Sequence, residues 1–459
     1  MGTGIRRIGA GRADYYLADL ATELPVPDRW GQRWVGGAAD GLGLGPGLDV
    51  DPSVFRSLLR GQHPQTGRPL PLPSSVRVAA YDLTFSAPKS ASIVFALGGE
   101  DVARAVMAAH GEAVDGAVRY LEGHALGAVR RDAGGEREVV ATSGFVGATF
   151  THGVSRNLDP HLHSHVVVVN AVHGVDGRWS ACDGRGLDAH RQAASNVYDA
   201  HLRWALSASL GVRWDGPPGR TAEIVGVPPA VLGEFSSRGA DIRRHAFETA
   251  QGHHVAWAAT RPPKVTGTPY AELAADWSRR AAAAGPALEV DRPRSPPAPS
   301  PSPSFDEHRF AGVISLTPHG GAHRRDVVGA FAVAARDGAP AASLDRVTDL
   351  WAPAERVGVA ENLLTRRSVV PAGEHLRALG PRPVDPAGHE TWLGAARAIE
   401  GYRERWGIER AAEPLGAEPL SSLPAARLAD HLRVARQLGA ARVSLGRRAP
   451  AEMELGLGR

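Results

Sequence analysis

Residues 150–170, FTHGVSRNLDPHLHSHVVVVN, constrain this chain more than any other stretch. His163 and His165 stand two apart in a run that reads as a strand, so both side chains leave one face of a sheet. His152 lies on the preceding strand-like run, residues 146–156, and the link between the runs contains Asp159-Pro160, a turn signal. Antiparallel pairing brings His152 over the His163/His165 face. Three neutral imidazoles converging from one side form a metal site with open positions on the other side. Open positions are what a catalytic cation needs to polarise a substrate oxygen. An HxH pair alone is more often a packed or surface feature; the third histidine and the turn set this one apart. His161 alternates with the pair as well and stands as the alternative to His152.

The 459 residues leave room for two or three domains. A hydrophobic content of 43% and a charged content of 22% are ordinary for a globular chain, and a net charge of +3 is no strong nucleic-acid signature. The basic side is almost entirely arginine, with lysine only at Lys89 and Lys264. Against that background Lys89 marks a place where guanidinium would not serve. The single cysteine, Cys182, excludes an internal disulfide framework and a cysteine-based zinc knuckle, and points to a reducing compartment. The first residues lack the apolar core of a signal peptide, and no run approaches the ~18 apolar residues of a membrane helix. These features predict a cytoplasmic protein with no membrane partner.

In chain order, residues 1–10 read as a strand-like lead and 11–20 (GRADYYLADL) as a helix start carrying Tyr15 and Tyr16. Residues 25–47, rich in glycine and tryptophan, read as loop and short helix. A short helix is expected at 51–60, a strand at 76–86, a helix at 89–97 and the clearest amphipathic helix at 101–122. A hairpin around Gly134-Gly135 feeds the histidine strands. A second, tight hairpin is expected at Asp176-Gly177, followed by helices at 187–210 and across 229–258. This pattern predicts an α/β (α+β) domain over residues 1–284, built on an antiparallel sheet with helices packed on it. Residues 285–307 contain PRSPPAPSPSPS, a proline/serine linker. Residues 308–459 read as a helical region for docking or accessory contacts, with its better helices at 326–336 and 385–406. The chain has no GxxxxGK[ST] stretch and hence no Walker-type ATPase.

Three motifs in order carry a family resemblance. GRADYY at 11–16, YDLTFSAPKS at 81–90 and HGVSRNLDPHLHSH at 152–165 together resemble the relaxase domain of the MobF family (TrwC-like conjugative relaxases), a branch of the HUH endonucleases. ATRPPK at 259–264 matches more loosely, and nothing after the linker resembles a known family. The resemblance implies the palm-like HUH relaxase fold. It implies metal ligands at His152, His163 and His165, with Asp82 beside them as hydrogen-bond acceptor or base. It implies a nucleophile at Tyr15, with Tyr16 the alternative. It also implies a reaction: nicking of one strand at an origin of transfer in plasmid mobilisation, leaving the 5′ phosphate on the tyrosine.

Elementary chemistry agrees. A phenol of pKa near 10 is phenolate in only about one molecule per thousand at neutral pH, so attack on a phosphodiester needs help. A divalent cation (magnesium, manganese or zinc) on the histidines offsets charge on a phosphate oxygen. Lys89 and Arg156 are candidate DNA-phosphate contacts; Arg156 has the alternative of pairing with Asp159, and Lys89 of being a solvated helix-start lysine. Trp30, Trp34, Trp179 and Trp204 are stacking candidates for bases, or core residues. The expected partners are single-stranded or hairpin DNA at the origin of transfer, a separate helicase and a conjugative coupling protein. Many family members carry a second tyrosine pair, and residues 21–30 here contain none. The competing readings are a rolling-circle replication initiator of HUH type and a non-catalytic DNA-binding accessory protein.

Overall fold

The computed structural model describes residues 4–9, 32–45, 48–70, 78–131, 137–216, 221–249, 268–286, 305–314, 323–351, 374–379, 386–406 and 425–445, with a few isolated positions between them. The first unit is built on a sheet of strands β1 (Gly4–Gly9), β2 (Gln32–Val35), β3 (Val78–Ser86), β6 (Thr142–Val154) and β7 (Pro160–Gly174). Their order is β1-β3-β7-β6-β2 and every pairing is antiparallel. Strand β8 (Trp179–Ser180) pairs with the far end of β7, while β4 (Ala128–Arg131) and β5 (Arg137–Val140) form the expected hairpin.

Strand β7 is the spine. Its 15 residues extend about 50 Å and pair with β3 on one side and β6 on the other. A strand buried on both faces reads as a continuous apolar run, and Val166–Val169 are all buried. The run of apolar residues ends at Asn170. The strand continues to Gly174 and then turns at Asp176-Gly177, where the sequence predicts a hairpin; Gly177 adopts φ +75° and Arg130 holds the Asp176 carboxylate. Residues 32–35 also differ from expectation: they form an edge strand, too short among glycines to show a period.

Three helices follow β3 and the hairpins: α2 (Lys89–Leu97), α3 (Glu100–His124) and α4 (Gly184–Leu210). The apolar stripe of α3 is buried at Val102, Val106, Ala109, Ala113, Ala117 and Leu121, as its 3.6 period predicts. Met107, His110, Val114 and Tyr120 are buried too, because α3 packs against α4 as well as against the sheet. The opposite face of the sheet is covered by α1 (Pro52–Leu59). The Asp51 side chain caps that helix by accepting from the amides of Ser53 and Val54, and Pro52 fits its first turn. Phe55, Leu58 and Leu59 of α1 join Trp34, Phe150, Val167 and Val169 in one core.

Further on lie α5 (Pro229–Glu234), α6 (Ser237–Thr249), α7 (Tyr270–Ala284), α8 (Glu307–Ile314), α9 (Arg324–Ala334) and α10 (Ala341–Trp351). Residues 4–314 and Arg325–Arg346 belong to one compact unit. The second unit is centred on α11 (Pro386–Trp406) and α12 (Ala425–Leu445), which bury Trp392, Ile399, Tyr402, Val434 and Leu438 between them. No helix among the described residues is long and apolar enough to cross a membrane.

Candidate active site

Register puts the histidines together. His152 lies directly opposite His163, and His165 lies between Phe150 on β6 and Thr84 on β3. Because side chains alternate along a strand, His152, His163, His165, Thr84 and Asp82 all leave the α1 face of the sheet. One ring nitrogen from each of His152, His163 and His165 lies within 4.8 Å of the others, the one such cluster found among the described residues. His161 is not part of it. Its ring stacks on His163 at 4.6 Å, and burial, together with His163 and Lys89 nearby, holds it well below the usual imidazole range.

The hydrogen bonds fix which nitrogen faces the cluster. His165 Nδ1 donates to both carboxylate oxygens of Asp82, at 2.9 and 3.1 Å, and His163 Nδ1 donates to the His161 carbonyl at 2.9 Å. A carboxylate and a carbonyl can only accept here, so the ring proton sits on Nδ1 and each Nε2 keeps its lone pair. Asp82 is 3% exposed. A carboxylate so placed fixes the ring's rotation and raises its basicity. The donor set therefore fits a divalent cation of the zinc or manganese kind, with positions left for a substrate oxygen.

The turn between the histidine strands is braced from outside. Leu158 adopts φ +60°, a conformation that costs a branched residue energy unless its surroundings enforce it. Trp277 Nε1 donates to its carbonyl at 2.7 Å. Asp159, 1% exposed, receives Arg280 Nη2 at 2.8 Å on one oxygen and the Ser237 amide and hydroxyl on the other. Lys89 Nζ donates to the Pro160 carbonyl at 2.7 Å. Burial lowers the Lys89 ammonium to about 8, with the Asp159 and Glu223 carboxylates opposing that shift. Lys89 is thus tied into the turn, neither a solvated helix-start lysine nor an outstretched arm. Arg156 sits half-buried in the same turn.

Behind the histidine strands runs a polar chain that sequence reasoning missed. Ser164, between His163 and His165, points to the α3/α4 face. Its hydroxyl meets Thr151 and His110 Nε2, each at 2.7 Å, and His110 Nδ1 meets the Tyr198 hydroxyl at 2.8 Å. Burial holds His110 at about 3 and pushes the Tyr198 phenol well up, so both stay neutral. The only signal was a histidine on an otherwise apolar helix stripe.

The remaining candidates divide. Tyr15, Tyr16, Trp30 and Lys264 lie outside the described residues. Trp34 is a core residue, 2% exposed and edge-on to Phe55 at 5.8 Å. Trp179 packs on His173 and Trp204 on His201, both half-buried.

The TrwC relaxase family model matches residues 6–284, well over half of the chain. The chain belongs to the TrwC relaxase family. Two relatives are multifunctional conjugation proteins named TraI from Escherichia coli. One is 36% identical over 260 residues, covering 52% of this chain and 14% of that protein. The other, from strain K12, is 34% identical over 289 residues, covering 58% and 15%. The match thus spans about one seventh of those proteins. Among solved structures, the metal-bound conjugative relaxase TrwC in complex with oriT DNA aligns over 62% of this chain and all of its own, with a TM-score of 0.57 at 24% identity. TrwC with a 27-mer comprising the recognition hairpin and the cleavage site aligns with a TM-score of 0.54. At 24% identity these likenesses speak for the fold, the antiparallel sheet with packed helices that the sequence predicts.

Proposed function

We propose that this relaxase nicks and rejoins one DNA strand at an origin of transfer, through a tyrosine-linked intermediate. The observation that carries the reading is the imidazole trio of His152, His163 and His165 on one sheet face, with Asp82 fixing His165. A divalent cation bound there supplies charge stabilisation at a non-bridging oxygen of the scissile phosphate. An all-nitrogen trio favours manganese or zinc over magnesium.

The chain's own residues do the rest. His152, His163 and His165 hold the cation, and Asp82 keeps His165 in the right tautomer. The Tyr15 phenol, with Tyr16 as the alternative, attacks phosphorus and gives up its proton. The bond to the 3′ oxygen breaks, and that oxygen takes up a proton. The phosphodiester count is unchanged, so the reverse attack by a 3′ hydroxyl rejoins the strand without ATP. Arg156, half-buried at the turn between the histidine strands, is the proposed contact for a DNA phosphate, while Lys89 holds the Pro160 carbonyl instead.

The DNA is single-stranded or a hairpin; support comes from the solved TrwC complex with a 27-mer comprising the recognition hairpin and the cleavage site. Unwinding falls to a helicase and delivery to a coupling protein, in the cytoplasm. Residues 1–284 carry the relaxase chemistry, 285–307 are the linker, and the docking role falls to the part of 308–459 that lies in the second unit.

Incubation of the chain with random single-stranded oligonucleotides and manganese tests this. Mass analysis should find a DNA-linked peptide that contains Tyr15 and Tyr16. Full-rate nicking by the Tyr15→Phe/Tyr16→Phe double variant would remove the nucleophile assignment.

A further inference from the structure

The weak point of the trio is the end of the hairpin that carries it. His152 faces His163, yet Val154 faces Pro160. One residue on β6 therefore opposes two on β7, a bulge at His161-Leu162 that interrupts the ladder beside a ligand. The ring of His163 is aimed by the carbonyl of His161, inside that bulge. Strand pairing alone does not hold the atom that orients the ligand.

We infer that Asp159 and Arg280, with Ser237 and Trp277 beside them, are positioning residues that hold this end of β7 and so set His163 for the cation. The inference rests on the trio being a metal centre. Asp159 immediately precedes Pro160, the first residue of β7, and is almost fully buried. Arg280 reaches it from α7, 121 residues later in the chain. Arg280 is itself fixed on all sides: Nε donates to Glu234 at 2.8 Å, Asp276 lies one helical turn away, and the guanidinium covers the Phe235 ring at 4.8 Å. Trp277, one turn before Arg280 on the same helix, clamps the Leu158 carbonyl. Two residues spaced i, i+3 on α7 therefore grip two successive residues of the turn. Ser237, at the start of α6, closes the second oxygen of Asp159, and Asn157 Nδ2 donates to Asp241 on that helix at 2.9 Å. A planar guanidinium wedged among three carboxylates and a ring cannot be replaced by the point charge of lysine without loss of geometry.

The test is calorimetric titration of manganese into the full chain without DNA, alongside thermal unfolding. Arg280→Met should weaken the manganese Kd by about 10- to 100-fold, the range seen when outer partners of metal ligands are removed. Arg280→Lys should fall between that variant and the wild type. Trp277→Phe, which deletes the bond to Leu158, should weaken binding in the same direction and serves if Arg280→Met does not fold. Phe331→Ala, a buried aromatic truncation on α9, is the stability control and should bind manganese like the wild type. Wild-type affinity in both Arg280→Met and Trp277→Phe overturns the inference, as does equal weakening by Phe331→Ala. A wild-type chain that takes up no manganese is a different result: it removes the metal centre itself and the positioning role with it.

Discussion

Replacing Asp82 with asparagine separates the proposed metal centre from the fold. The carboxylate is 3% exposed and offers both oxygens to His165 Nδ1, at 2.9 and 3.1 Å. Asparagine keeps the shape and one acceptor but loses the charge that raises the ring's basicity. Changes of this kind cost about 10- to 100-fold in metal affinity, which is about 1.4–2.7 kcal/mol. The metal-free fold responds differently. Removing a buried charge lifts its desolvation cost while one hydrogen bond is weakened, and the two offset to within about 1 kcal/mol. For a unit of this size that moves Tm by roughly 3 °C or less. Manganese titration measures the first effect and thermal unfolding without metal the second. Nicking at saturating manganese should recover to within a few-fold of the wild type. A manganese Kd equal to the wild type's would refute the role assigned to Asp82. So would a collapse of the metal-free Tm, which would make Asp82 a residue of the fold.

Two further outcomes follow from burial. His110 is held neutral at about 3 and His201 at about 4, both below the ordinary 6.5. The unfolded chain therefore binds the proton first as pH falls. Stability is intact above pH 6.5 and is lost below it, by up to about 1.4 kcal/mol per pH unit for each histidine. Urea midpoints at pH 7, 6 and 5 should show that decline, and His110→Gln should flatten it by about one proton; an unchanged slope contradicts the burial argument. Trp34→Ala should cost about 3–5 kcal/mol in urea unfolding, as truncation of a core aromatic does, and leave the DNA affinity of the folded protein unchanged by fluorescence anisotropy. A specific loss of DNA binding would return Trp34 to the surface.

The histidine hairpin and α3 were legible because each repeats a period over many residues. Two-residue alternation puts His163 and His165 together, and the 3.6 period marks the buried stripe from Val102 to Leu121. Strand β2 was not legible, since four residues among glycines hold no period. Asp82 came only through the family motif; nothing in an apolar strand says which way one carboxylate will turn. Arg280, Ser237 and Trp277 were hidden for a different reason. They meet the turn from 78 to 121 residues away, and no local pattern encodes a contact over that separation. The sequence offered Arg156 as the neighbour for Asp159, and the fold supplied Arg280.

Ser164 looks toward the helices while the histidines on either side of it look the other way. The two sides of this ribbon thus carry separate duties, assigned by odd and even positions. Adding or losing one residue between His163 and His165 would put the two imidazoles on opposite sides, one of them in the oily interior. Homologues should therefore vary in length at the distant β4–β5 tip far more readily than here, where only changes by two keep the parity.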